Sequence, residues 1–133
     1  MKIEFKVITP YGDKLNTQIE KLHIETEAGY VTILPNHFPL IASVVPSVVS
    51  IKVDENTSYI ASCASGILKV GEKDTKLIVS SFELSNEIDV ERAKKALKRA
   101  QDRLNDNSPD IDKNRAEISL KRAMARIKAS GNL

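Results

Sequence analysis

The chain has 133 residues, 20 Lys and Arg against 18 Asp and Glu, and a formal net charge of +2. That length suits one ordinary domain, or a small domain with an appendage. No apolar run approaches the roughly 20 residues that span a bilayer, no secretory signal is expected from Met1–Lys6, and the single Cys63 excludes an internal disulfide framework, which fits a reducing compartment.

Taken in chain order, the first half predicts an all-β unit. Ile3-Glu4-Phe5-Lys6-Val7 alternates apolar and polar residues, as a half-buried strand does, and Thr9-Pro10-Tyr11-Gly12-Asp13 supplies a turn. A strand-like stretch through Ile19, Leu22, Ile24 and Thr26 closes at Ala28-Gly29. Tyr30–Leu34 and Leu40–Val45 follow, separated by Pro35-Asn36-His37-Phe38-Pro39. Val48–Val53, Tyr59–Cys63, Ile67–Val70 and Leu77–Val79 complete a set whose spacing suits a sandwich or flattened barrel.

The composition breaks near residue 85. Residues 1–84 carry eight lysines, no arginine and ten acids, a net of −2, whereas residues 85–133 carry six lysines, six arginines and eight acids, a net of +4. All six aromatics lie in the first part, and the second is rich in Ala, Leu, Lys and Arg, which favour helix. Residues 88–104 and 111–127 align without gaps, with nine of seventeen positions identical. The turn-forming 105–110 segment between them predicts two antiparallel helices. Asp89 and Asp112 are placed as N-caps, with Ser108 before Pro109 a competing start for the second helix. The fold class is therefore α+β: a β-sandwich domain over 1–84 and a helical hairpin over 85–133.

On the first helix Ala93, Ala96, Leu97, Ala100 and Leu104 form an apolar seam, matched on the second by Ala116, Ser119, Leu120, Ala123 and Ile127. The seam is thin enough that the hairpin should need something else to pack on, as a mobile appendage. Arg92, Arg99 and Arg103 fall within about 40° of one another, as do Arg115, Arg122 and Arg126. If both stripes share a face, they make a surface for phosphate or carboxylate. The alternative is a solvated face with local ion pairs, Asp89–Arg92 and Asp102 near Arg99 among them.

These residues resemble the epsilon subunit family of bacterial F-type ATP synthase over essentially the whole chain. The resemblance is carried by Gly29-Tyr30-Val31-Thr32-Ile33-Leu34-Pro35-Asn36-His37-Phe38-Pro39-Leu40, by Gly66-Ile67-Leu68-Lys69-Val70, and by the opening Val7-Ile8-Thr9-Pro10-Tyr11-Gly12. Ile88-Asp89-Val90-Glu91-Arg92-Ala93 matches the family's ATP-binding pattern, Ile/Leu-Asp-x-x-Arg-Ala, and recurs as Ile111-Asp112-Lys113-Asn114-Arg115-Ala116. The resemblance implies a non-catalytic rotor subunit of the central stalk, peripheral on the cytoplasmic face of the bacterial plasma membrane. Its sandwich would bind the gamma subunit and the ring of c subunits. Its hairpin would either fold on the sandwich or extend along gamma into the alpha/beta hexamer and inhibit ATP hydrolysis, meeting an acidic catalytic-subunit surface.

In members that bind ATP the nucleotide is a regulatory ligand and is not hydrolysed. The matching positions here are Glu83, Ile88, Asp89, Arg92, Ala93, Arg99, Arg122 and Arg126. Ile88 and Ala93 could wall the adenine, Glu83 or Asp89 could accept from its amine, and Arg99, Arg122 and Arg126 could meet the phosphates, favouring the compact hairpin. Arg103 and Arg115 fall outside that set, as surface or partner-facing charges. Tyr30 and Pro35, Asn36, His37 and Phe38 are the candidate face toward the c ring, or else they cap the sandwich.

Other chemistry finds little support. Gly66–Gly71 has the spacing of a P-loop opening, but Glu72 stands where the phosphate lysine belongs. His23, His37 and Cys63 are too scattered for a metal site or a nucleophile pair, and are read as a strand-face residue, a loop residue and a core residue. A nucleic-acid-binding module would suit the arginines, but the β half is net negative and lacks a basic-aromatic stripe. A generic adaptor whose hairpin docks on another protein's helices is the remaining rival.

Overall fold

A computed structural model describes residues 1–131, so the last two residues of the assigned helical domain, 132 and 133, lie outside the described part. The first strands are β1 (Ile3–Thr9), β2 (Gly12–Ile19), β3 (Lys21–Thr26), β4 (Gly29–Ile33) and β5 (Leu40–Val44). Next come β6 (Ser47–Lys52), β7 (Ser58–Cys63), β8 (Gly66–Val70), β9 (Asp74–Val79) and β10 (Phe82–Leu84). A 3-10 turn at Ser85–Glu87 leads to α1 (Val90–Asn105) and α2 (Lys113–Ala129).

One layer runs β10-β7-β6-β3, with β4 on the side of β3, and the other runs β5-β8-β9-β1-β2. They join where Thr26 of β3 pairs with Val44 of β5. The pairing is antiparallel except between β1 and β9, which run parallel. Alternation sets the core: Phe5 and Val7, Leu22 and Ile24, Val49 and Ile51, Leu68, and Leu77 point inward and form one buried cluster. This is the expected sandwich.

Two strands lie where the sequence pattern is weak. β2 carries Lys14, Asn16 and Gln18 on its exposed side and sits at a sheet edge, so few of its side chains needed to be apolar. β10 has only three residues, too few to show a period, yet its Phe82 is buried in the core. Gly66 is required by crowding: a Cβ there would lie 2.0 Å from the Ile78 carbonyl oxygen and 2.7 Å from Val79 Cα.

Both helices begin as expected. The Asp89 carboxylate accepts from the Arg92 backbone N–H at 3.1 Å, and Asp112 accepts from that of Arg115 at 3.1 Å. Ser108 does not start α2; its carbonyl accepts from the Ile111 N–H within the connecting turn. In the seam Ala93, Ala100, Ala116, Ala123 and Ile127 are buried, and Ala96, Leu97, Leu104, Ser119 and Leu120 are half-buried. Small residues let the two axes approach. α2 has a second buried face, with Ala125 and Ala129, and it packs across β6 and β7. The hairpin thus rests on the sandwich through α2, with α1 on its far side.

Candidate functional site

The site is assembled where α2 meets β10. At about 100° per residue, Arg122 and Arg126 fall between the α1-facing and the sandwich-facing sides of α2. Both are half-buried, whereas Arg92, Arg99, Arg103 and Arg115 are exposed. The predicted stripes therefore meet different surroundings: that of α1 is open to solvent, whereas that of α2 is open at Arg115 and half-sunk at Arg122 and Arg126.

Phe82 turns into the core, so Glu83, the next residue on β10, turns outward toward the hairpin. Its Oε1 accepts from Arg126 Nε at 2.9 Å, with 32% of the Glu83 side chain and 31% of that of Arg126 exposed. One turn earlier on α2, Arg122 Nε is buried without a hydrogen-bond partner among the described residues. A buried donor left unpaired costs about 1–3 kcal/mol, so a guanidinium held this way has unspent capacity for an acceptor. Two of the expected phosphate ligands, Arg122 and Arg126, are therefore neighbours, and Glu83 joins them.

The remaining candidates lie at the start of α1. Ile88 is half-buried, Asp89 is exposed and engaged as the N-cap, and Arg92 is exposed with its backbone N–H on that cap. Ala93 is only 1% exposed, because it sits in the helix–helix seam. Among the described residues neither Asp89 with Arg92 nor Asp102 with Arg99 forms an ion pair between side chains.

The candidate c-ring residues are divided. Tyr30 lies at the first end of β4, 66% exposed, with its ring stacked on His23 at a centroid distance of 5.1 Å. Its hydroxyl is bonded to Glu25, and that bond, the negative charge of Glu25 and slight burial together raise its pKa. Pro35, Asn36, His37 and Phe38 follow the other end of β4, about 13 Å away along a strand. Asn36 adopts φ 66° there, Pro35 and His37 are half-buried, and Phe38 is 85% exposed.

Two features were not anticipated. The ammonium of Lys113 donates to the carbonyls of Arg103, Leu104 and Asp106, closing the turn between the helices. The outer face of the second layer exposes Ile41, Ile67 and Ile78, with Ile67 directly opposite Ile78 across the β8–β9 pair. The signal for that face was present in Ile67-Leu68 and Leu77-Ile78, adjacent apolar pairs that cannot both point inward on a strand. A cleft of about 840 Å³ lies on the other side of α2 between Lys121 and Lys128 and the Glu25–Glu27 turn, away from the arginines of the stripe. Cys63 is a core residue of β7, His23 lies on the face of β3, and His37 lies in the 34–39 connection.

Comparison with known proteins gives a consistent picture. Residues 2–85 match the model of the ATP synthase delta/epsilon chain beta-sandwich domain, and residues 86–131 match that of its long alpha-helix domain. The ATP synthase epsilon chain of Bacillus velezensis is 36% identical over 130 residues, which cover 98% of each chain. That of Bacillus licheniformis is 35% identical over 108 residues, 81% of this chain and 82% of the relative. Among solved structures, a chain of the Euglena gracilis mitochondrial ATP synthase superposes with a TM-score of 0.83 at 17% identity, covering 96% of this chain and 80% of that one. A chain from the central stalk and c-ring of the Tetrahymena thermophila enzyme gives 0.65 at 18% identity, covering 98% and 97%. No helix among the described residues is long and apolar enough to cross a membrane.

Proposed function

The chain belongs to the ATP synthase delta/epsilon chain family, and from that membership we propose that it is the non-catalytic stalk subunit that couples gamma to the c ring and regulates ATP hydrolysis through its hairpin. As an epsilon-type chain it is a subunit of an enzyme and not an enzyme by itself. The face bearing Ile41, Ile67 and Ile78 is the surface we assign to gamma. Among the described residues no helix packs across it, and adjoining exposed apolar side chains on a sheet suit burial against a partner. Phe38, prominent at the end of the 34–39 connection, remains our candidate for the c ring.

The hairpin is the regulatory part. Its compact arrangement leaves the arginines of α1 exposed, where an extended hairpin could present them to an acidic surface of the catalytic hexamer, with attraction weakened by salt. ATP is proposed to bind the compact form, with the adenine near Ile88 and Asp89, the phosphates on Arg122 and Arg126, and Arg92 and Arg99 contributing from α1. The observation that carries this reading is the unpartnered, buried Nε of Arg122 beside Arg126 at the junction of the two domains. A ligand gripped by both helices next to the sandwich has a differential affinity for the compact state, which is what a switch requires.

The test is ATP titration of the full chain with a distance probe between sandwich and α2. ATP should increase the compact fraction. Arg122→Ala and Arg126→Ala should each weaken the apparent affinity about ten- to a hundredfold, the equivalent of one charge-assisted bond. Affinity equal to wild type in both would remove the phosphate role from α2.

A further inference from the structure

Glu83 and Arg126 are both candidates for contact with one nucleotide, yet in the structure they are bonded to each other. The other ion pairs among the described residues, Lys6–Asp13 and Lys52–Glu20, lie within the sandwich. Glu83–Arg126 alone of the three joins the two domains. Its acid is fixed to the sandwich because β10 is paired to β7 and anchored by buried Phe82. Its base rides on α2. A carboxylate oxygen and a phosphate oxygen are equivalent acceptors for a guanidinium N–H. One turn away the buried Arg122 Nε has no such acceptor. Of two adjacent arginines at the junction, one is neutralised from within the chain and the other is left open.

We propose that Glu83 is a resident substitute for the ligand's phosphate: it occupies Arg126 and holds α2 on the sandwich when no polyphosphate is bound, and it gives the arginine up when one arrives. This rests on the nucleotide reading above and adds a competitor to it. Glu83 then acts in two opposite directions. It favours the compact hairpin in the empty protein, and it opposes phosphate binding to Arg126. The compaction gained on binding is the difference between the phosphate contact and the carboxylate contact it replaces, so the ligand shifts the equilibrium by less than its full contact set would allow.

The experiment compares the full-length wild type with Glu83→Gln, using inorganic tripolyphosphate and ATP as ligands. Binding is followed by calorimetry and hairpin position by the interdomain distance probe. Tripolyphosphate lacks the adenine, so it reports on the arginines alone. Without ligand, Glu83→Gln should raise the ratio of open to compact hairpin about two- to fivefold, as expected for a partly exposed pair. With tripolyphosphate, it should bind several-fold more tightly than wild type. Tripolyphosphate affinity that is unchanged or weaker in Glu83→Gln, while ATP still binds wild type, overturns the substitution and leaves the nucleotide reading standing. Failure of wild type to bind either ligand overturns the nucleotide reading and the substitution with it. The exchanged pair, Glu83→Arg with Arg126→Glu, guards against a general effect of altering β10. It should restore the ligand-free ratio, and an exchanged protein as open as Glu83→Gln would overturn the latch.

Discussion

The thiol of Cys63 lies in the sandwich core, with Ser47 Oγ at 3.8 Å and the Val45 carbonyl oxygen at 4.0 Å. Burial pushes its pKa from an ordinary 9.0 up to about 11. A folded-state value above the unfolded one means that the unfolded chain loses this proton first as pH rises. The stability tied to the neutral thiol is present below pH 9 and is lost as pH climbs from there toward 11, by about 2–3 kcal/mol. Denaturant titrations should therefore show Cys63→Ala losing less stability over that window than wild type. Equal losses would place the thiol in contact with water. At this scale, what could be read from the sequence was what is local. Asp89 and Asp112 cap their helices because the acceptor and the N–H it serves are three residues apart. Lys113 was missed because its carbonyl partners lie seven to ten residues back and converge only once the turn has closed. Glu83 and Arg126 were grouped by family resemblance, but their bond depends on how two domains dock, and no spacing encodes that.

The turn between the helices shows what holds a thin-seamed hairpin together. The last carbonyls of α1 have no intrahelical donors, and Lys113, at the first position of α2, brings its ammonium to those of Arg103 and Leu104 and to the linker carbonyl of Asp106. One cation thus ties the end of α1 to the start of α2, where positive charge also complements the C-terminal dipole of α1. Lys113→Met keeps the aliphatic stem and removes the donors. It should speed amide exchange in the last turn of α1 by about tenfold, for the loss of roughly 1.5 kcal/mol, while exchange in β3, β6 and β9 stays unchanged. Uniform acceleration across both domains would deny the cap a local role. Strands and helices with a clear apolar period were predictable, and β2 was not. As an edge strand it buries chiefly Ile19, so hydrophobic alternation had nearly nothing to mark.

For the whole molecule, the charge of +2 is a cancellation between an acidic sandwich without arginine and a hairpin that holds all six. The core cluster draws on strands alone, so the sandwich owes the helices little. A chain ending after Leu84 should keep its strand content and a cooperative thermal transition, while a peptide of residues 85–133 should be mostly unfolded in water. Circular dichroism of the two pieces decides this, and a sandwich that melts without the hairpin would contradict it. The two-part architecture was visible in composition because arginines and aromatics segregate so completely. The docking was not: Ala125 and Ala129, which meet the sandwich, are indistinguishable in sequence from the alanines that meet α1. Small residues can pack on either side of a helix, and only the assembled fold says which side they serve.

β10 anchors Glu83, and it is also the last strand before the polypeptide leaves for α1. A pull on the start of α1 is therefore borne first by this strand. It is a three-residue edge strand held to β7 by three opposed residue pairs, a geometry in which force opens the pairs one after another from the Leu84 end. Peeling it would pay out about 10 Å of extended chain and carry the acidic partner of Arg126 away from the sheet in the same motion. Phe82, 3% exposed, is the stop that limits this travel. If Glu83 is the catch proposed above, leash and catch are one strand, and a tug on α1 strong enough to free the catch would also lengthen the hairpin's reach.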